Sequence, residues 1–562
     1  MRRLANGRLL FLLMLARPVL TLPQTSPQKP IPGSQSNTAA IRLRTQLVLI
    51  PTEVTNARGN RITDMKKEDF AVFENDKRQE IAFFEHVVTK AAMTKPTELP
   101  PGEFTNTFQK GPNRITIFVV DLLNSRMEEQ KEARKQIFEF LSKSLDEKEP
   151  VCLIVVDGTG AWLVHEFTTD PKILADAVNE VKEHPTDIDR PPNNPEERLY
   201  KTLEGWHSKN AERAKAGLET RLNMLREEVG FEDMDANDRI RLTLVSLLEI
   251  GNAFAGIPGR KSLIWATAGF PFQVNNAAAF EKEGALHASD GPDLLPLYEQ
   301  TWRVLGDANI AVYPLDVSDL VNPGYGGPSM GEALPRHVTM DMHVSNLENF
   351  ADMTGGKFCD RSVNAKECFE QATSDSSDYY VLGIYDKSGT EKPGWRKLNV
   401  RTPRPGLQIR ARSGYFVSAA KQEAPTEKKL MEMALFSPFD YTGLSLSVRF
   451  TGMTAGRKPE TKKIHFEYTI PAGAVRLSKE DENQLKLEFG ATARDASGKM
   501  AGSFTKVVEG KLGASQAQQV NEKGIVFKGE LELGAGEYAL SFAVMDQINE
   551  NTGSVSAPLK VE

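Results

Sequence analysis

Asp121, Asn124 and Ser125 close an apolar run, Arg114-Ile-Thr-Ile-Phe-Val-Val-Asp121. An acid and two short polar groups so close together are the start of an oxygen ligand set. Mg²⁺ takes about six such ligands in near-octahedral geometry, so more would have to come from elsewhere. An acid from the polar stretch holding Asp235 and Asp238 could add a ligand; Thr267, and Asp316 with Ser318 in Asp316-Val-Ser-Asp319, end later apolar runs and are binding-face candidates, the last group reading first as a cap or turn rather than a ligand set. Carboxyl ends of buried strands are where open α/β sheets place ligands. The competing reading is that Asp121 caps the helix that follows it, since acids are favoured at helix N-termini.

Catalytic patterns are weaker. The eight histidines make no H-E-x-x-H, and His337, Asp341 and His343 read as a solvated loop. Gly327-Pro-Ser329-Met-Gly331 matches Gly-x-Ser-x-Gly, but a Gly/Pro-rich loop precedes it, where a nucleophile elbow needs a strand. Cys152 sits in the apolar run Val151–Val156 and reads as a buried thiol. Cys359 and Cys368, nine positions apart, could staple a strand to a helix or stay as two free thiols.

Strands and helices alternate over 114–376. Strands are expected at 114–121, 151–157, 161–167, 262–267 and 309–315, with a hairpin at Asp157-Gly-Thr-Gly. A helix after the first strand is expected to bury Ala133, Ile137, Phe138 and Leu141. Another, near 238–256, should stop at Gly256-Ile-Pro-Gly. These features predict a helix-flanked, mainly parallel sheet with one antiparallel edge strand. Residues 184–237 read as a polar insertion carrying Trp206. A loop this long is usually functional or disordered; a partner-contacting segment and a solvated helical excursion with no role are the two readings.

On either side the period is two. Segments 40–91 and 378–418 each hold too few strands for an independent sandwich, so they are expected to pair into one β domain. Residues 92–113 and 419–435 read as linkers, and 436–562 as a C-terminal β-sandwich. Residues 23–39 are rich in Pro, Ser and Gln and read as a disordered spacer. At the N-terminus Arg2, Arg3 and Arg8 precede Leu9–Ala16, the pattern of an export signal over 1–22. The chain has 562 residues, enough for about three or four domains, and a charge of -7 that does not suggest a nucleic-acid surface.

Ordered blocks across 40–418 resemble the VWFA-related domain family, the von Willebrand factor type A-like group described mainly from acidobacterial exported proteins. The blocks are Lys66-Lys-Glu-Asp-Phe70 with Val72-Phe-Glu74, Phe118–Ser125, Phe167-Thr-Thr-Asp170, Ile257–Trp265, Tyr313-Pro-Leu-Asp316, Thr354-Gly-Gly356, Tyr379–Tyr385 and Arg412-Ser-Gly-Tyr-Phe416. The resemblance implies a fold class: α/β, a von Willebrand A-type, Rossmann-like, mostly parallel sheet over 112–377, with flanking all-β sandwiches. It also implies a metal-ion adhesion site. Asp121 would be its first Asp and Ser125 its second Ser, while Leu123 replaces the first Ser and Ala268 the Asp of Thr-Asp-Gly. Asp235 and Asp238 fall near the loop ligand.

The reading that follows is an exported, non-enzymatic, adhesion-type protein that binds another protein, is at most peripheral to a membrane, and uses a degenerate metal face without a cofactor. A metal-dependent adhesion domain using Mg²⁺ or Mn²⁺ and a hydrolase are the alternatives.

Overall fold

The structure, a computed structural model, describes residues 46–89, 99–107, 114–125, 127–144, 149–158, 160–181, 236–269, 295–317, 347–360, 365–386, 394–417, 425–477, 483–549 and 551–562. The export signal, the spacer, most of the insertion with Trp206 and Asp235, and Ser318, Asp319, Ser329, His337 and His343 lie outside the described residues.

The expected α/β class is corrected. The chain is mostly β, 48% strand against 26% helix, and its sheets are mostly antiparallel. Among the described residues there are five sheets, and only one contains parallel pairs. The expectation gave too much weight to the continuous apolar runs of 114–316. Such runs mark strands buried on both faces, but they supply only one of the five sheets, and the four sheets built from the flanking segments are antiparallel.

The N-terminal strands are β1 (Gln46–Asn56), β2 (Ala71–Glu74), β3 (Lys77–Gln79), β4 (Phe83–Val88) and β5 (Glu103–Thr105). Then come β6 (Ile115–Asp121), helix α1 (Met127–Ser144), β7 (Val151–Asp157), β8 (Gly160–Thr168), α2 (Pro171–Glu180), α3 (Ala236–Phe254) and β9 (Lys261–Thr267). Next are α4 (Leu295–Asp307), β10 (Ile310–Asp316) and α5 (Ala365–Ser377). They make one sheet, β10-β9-β6-β7-β8, in which only the β7–β8 hairpin is antiparallel. Every residue of β6, β7, β9 and β10 is buried. Phe118, Val120, Leu153 and Val155 pack with Ile137 of α1, Leu174 of α2 and Phe369 of α5. Ile117, Val119 and Ile154 pack on the other side with Leu244 of α3 and Tyr298 and Trp302 of α4. Helix α1 buries Phe140 with Ile137 and Leu141, and leaves Phe138 at the surface, against expectation.

Strands β11 (Asp378–Asp386), β12 (Gly394–Arg401), β13 (Leu407–Ala411) and β14 (Gly414–Val417) return to the N-terminal strands. They form two antiparallel sheets, β13-β1-β11-β4 and β14-β12-β2-β3, around Val48, Ile50, Val72, Tyr380, Leu382 and Leu398. Each sheet draws strands from both sides of the parallel layer.

Residues expected to be a linker instead form helix α6 (Pro425–Phe436). Its charged start disguised an apolar second half, and Met431, Ala434, Leu435 and Phe436 are buried against Ala543 and Met545. The C-terminal sandwich has strands β15 (Ser447–Ala455), β16 (Thr461–Ile470), β17 (Gln484–Asp495) and β18 (Met500–Lys511), then α7 (Ala514–Lys523), β19 (Ile525–Gly534), β20 (Gly536–Asp546) and β21 (Asn551–Val561). Its sheets are β19-β16-β15-β5 and β18-β17-β20-β21. Strand β5 comes from the other expected linker, 92–113, and pairs with β15 as an edge. Asn106 fixes that crossing, donating from Nδ2 to the carbonyls of Tyr441 (2.6 Å) and Leu444 (2.8 Å) and accepting from Leu446 N (2.9 Å).

The same sandwich closes the end of α3. Thr442 Oγ1 donates to Ala253 O (2.7 Å) and accepts from Gly256 N (2.9 Å), serving backbone groups that a helix end leaves without partners. Gly256 has no room for a side chain, since a Cβ there would lie 1.8 Å from Thr442 O. Among the described residues, no helix is long and apolar enough to cross a membrane.

Candidate functional site

At the end of β6 the chain turns sharply into α1, and Asp121, 1% exposed, is the centre of that turn. Its Oδ1 accepts from Asn124 N (3.0 Å). Its Oδ2 accepts from Asn124 Nδ2 (2.9 Å) and from the indole Nε1 of Trp265 on β9 (3.0 Å). Thr267 Oγ1 lies 2.9 Å from the same oxygen and 2.8 Å from Gly269 O, so its one hydrogen serves either acceptor. Ser125 Oγ donates to Asp121 O (2.7 Å) and accepts from Ala268 N (3.2 Å). Asn124 Nδ2 also donates to Thr243 Oγ1 on α3 (2.9 Å). Burial pushes the Asp121 carboxyl above its ordinary range, while Asn124, Thr267 and Trp265 pull the other way.

This donor set does not fit a divalent cation. A cation needs oxygen lone pairs, and here it would have to displace the N–H donors that already engage both oxygens of Asp121. Leu123 is packed in the core with Ile117 and Leu244. Ser125 spends its hydrogen on a backbone carbonyl. Among the described residues, no group of three or more His, Cys, Asp or Glu side chains could hold a metal. Asp316 ends β10 with 7% exposure, one strand beyond Thr267 and in register with it. Asp238 falls within α3. Cys359 and Cys368 are joined by a disulfide, tying α5 to a residue that extends the sheet through a bridge to Leu315. Cys152 is a buried free thiol.

A second cluster escaped the sequence reading. Glu53 on β1 is 2% exposed and lies between Arg260, just before β9, and Arg410 on β13. Arg260 Nη1 is 2.8 Å from Glu53 Oε1, a charge contact with no hydrogen aimed along it. Arg410 Nη2 pairs with both Glu53 and Asp375 of α5. Asp375 also accepts from Tyr313 Oη (2.9 Å), Gln371 Nε2 (2.6 Å) and Arg61 Nη2 (2.9 Å). Arg260 Nη2 donates to Gly355 O (2.6 Å), and its backbone N to Tyr379 Oη (3.0 Å). Burial pushes the Glu53 carboxyl up to about 8, against the pull of Arg260 and with the help of Asp375. Burial acts in the same sense on Asp375, but Arg410, Glu53 and Arg260 outweigh it and hold that carboxyl below its ordinary value. The cluster joins the N-terminal sandwich to the parallel layer. Its sequence signal was slight: an acid inside an apolar strand, Ile50-Pro-Thr-Glu-Val54.

The sheet face that carries Glu53 continues past the joint into solvent. There Leu47 (38%), Leu49 (44%), Phe83 (38%) and Tyr385 (50%) are exposed. Leu47 lies opposite Tyr385, and Leu49 and Phe83 both flank Gly383. A Cβ on Gly383 would meet Phe83 Cβ at 2.7 Å and Leu47 Cδ1 at 3.1 Å, so these side chains close over the glycine as one patch.

No model of a known protein family matches the chain, and no curated protein matches it. Among solved structures it has partial similarity to a beta-glucuronidase from glycoside hydrolase family 2. The two are 10% identical over 32% of this chain and 19% of that one, with a TM-score of 0.14. The chain thus spans well under two thirds of that protein, and a superposition this poor carries no argument about fold or activity.

Proposed function

We propose that this is an exported, non-enzymatic binding protein that contacts another protein through the open half of the β13-β1-β11-β4 face. The observation that carries the reading is the apolar patch Leu47, Leu49, Phe83 and Tyr385. Isolated surface hydrophobes need no explanation, but contiguous ones mark contact surfaces. Export is supported by the signal-like start and by the Cys359–Cys368 disulfide, a bond that persists in oxidising compartments. A non-enzymatic role is supported at Asp121, where donors already engage the acid best placed for chemistry.

The test is capture from the native extract by the wild-type chain and by Leu49→Asp and Tyr385→Asp. Both positions are exposed, so each variant should keep the wild-type melting temperature. Loss of a specifically captured protein in both supports the reading, and capture that survives both refutes it.

A further inference from the structure

We propose that the outer face of the β14-β12-β2-β3 sheet is a separate contact surface, and that its occupant is an extended acidic segment of a partner protein. Along β12, Leu398 and Val400 belong to the sandwich core, so Lys397, Asn399 and Arg401 point outward by alternation. Asn399 lies opposite Phe73 on β2, and Phe73 opposite Arg78 on β3. Lys397, Arg401 and Arg78 are exposed, while Phe73 and Asn399 between them are half-buried. Farther along the same face, Trp395 and Phe416 lie opposite each other and are buried with Trp302 and Leu305 of α4. The cover therefore stops just before Lys397.

The open part of the face is basic, and its charges are unmet. Among the described residues, Lys397, Arg401 and Arg78 have no carboxylate partner. Arg401 lies over the ring of Phe73, its Cζ 4.6 Å from the centroid, and donates from Nε to Asn399 Oδ1 (3.2 Å). Ala71, opposite Arg401, leaves room for that stack. The acids nearby are engaged elsewhere. Asp64 and Asp69 pair with Arg404, and Glu74, on the inner face, accepts from Tyr415 Oη (2.9 Å). Asp76 and Glu80, on either side of β3, pair with none of the three cations. The whole chain carries a charge of -7, so this face concentrates the opposite sign. Such a concentration attracts an anionic partner.

The spacing selects the kind of anion. Lys397 and Arg401 are four residues apart on one strand, about 13–14 Å at ~3.4 Å per residue, and Arg78 lies two strands from Asn399, about 10 Å. Arg401 is held down on Phe73, so the charges are spread over the face rather than gathered at one point. That does not suit a lone carboxylate or phosphate. An extended polypeptide repeats its side chains on one face every ~7 Å. Acids at alternate positions would then meet Lys397, the Nδ2 of Asn399 and Arg401 in turn, with Arg78 on the flank. Arg401 already makes its aromatic contact, so less side-chain freedom is lost on binding. Phe73 lies beneath that guanidinium and offers no open ring on which a nucleic-acid base could stack.

The experiment is fluorescence anisotropy of a labelled peptide of alternating Glu and Thr, titrated with the full chain at low and at physiological salt. Support is binding that weakens with salt and falls by about tenfold or more in the double variant Arg78→Glu, Arg401→Glu. These positions are exposed, so the melting temperature should be kept. Lys397→Glu is an independent reversal and should weaken binding as well. Leu49→Asp, on the other sandwich sheet, should leave binding unchanged, which separates this surface from the apolar patch; a loss there overturns the proposal. Absence of binding overturns it, as does equal binding by the charge-reversed variants or equal binding of a peptide of alternating Lys and Thr. Displacement by millimolar inorganic phosphate, or tighter binding of a single-stranded oligonucleotide, also overturns it.

Discussion

Removing the Asp121 carboxylate with Asp121→Ala would leave three N–H groups facing a void: Asn124 N, Asn124 Nδ2 and Trp265 Nε1. Each buried donor without a partner costs about 1–3 kcal/mol, so the gross loss is about 3–9 kcal/mol. Part is returned, because burial opposes the Asp121 charge and the substitution relieves that cost. The expected net loss is therefore in the lower half of that range, about 3–5 kcal/mol. Urea unfolding followed by tryptophan fluorescence is a direct assay, since Trp265 is one of the released donors. The companion measurement adds millimolar Mg²⁺ to the wild type. A site held at about 100 times its Kd would add ~2.7 kcal/mol, whereas a carboxylate already supplied with donors should give no shift. A loss below about 1 kcal/mol would show that the network is not what fixes the turn. A Mg²⁺ stabilisation that vanishes in Asp121→Ala would show that the cation displaces the donors.

Two further outcomes are expected. Replacing Cys359 and Cys368 together by Ala removes a bridge across nine positions and should lower stability by about 2–3 kcal/mol; unchanged unfolding would mean the bond contributes nothing. Burial pushes the Lys261 ammonium from 10.5 down to about 7. As a neutral amine, its two hydrogens match Ile257 O (2.5 Å) and Gly259 O (3.0 Å). Because its folded value is depressed, the folded state binds fewer protons than the unfolded chain between about pH 7 and 10.5, and this group's contribution to stability should rise across that window. Lys261→Met should remove that rise in pH-dependent unfolding, and a rise that persists in the variant would assign it to another group.

What could be read from the sequence depended on how far apart the interacting residues lie. The turn at Asp121 was legible as a cap or a ligand, because Asn124 and Ser125 are its neighbours in the chain. That Trp265 would supply the deciding donor was not legible, because the contact spans 144 positions and exists only once β9 lies beside β6. The missing oxygens at 123 and 268 were visible, but what replaced them was not. Edge strands leave a faint trace in sequence for a related reason. Strand β18 (Met500-Ala-Gly-Ser-Phe-Thr-Lys) is an edge with little to bury, so its composition gives almost no alternation.

The outer face of β1 shows the limit most directly. Positions 47, 49, 51 and 53 project to the same side of the strand by simple alternation. Alternation cannot say what lies over that side. The parallel layer covers one end and the other is open, so Glu53 is buried while Leu47 and Leu49 are in solvent. Read alone, Leu47 and Leu49 look like core residues and Glu53 like a surface acid. The reversal requires Arg260, supplied by a segment that folds on a different sheet. A face that is polar where covered and apolar where exposed gains nothing for the isolated chain's own core. If the exposed half is the proposed contact surface, Leu49→Asp should cost the fold little while abolishing capture.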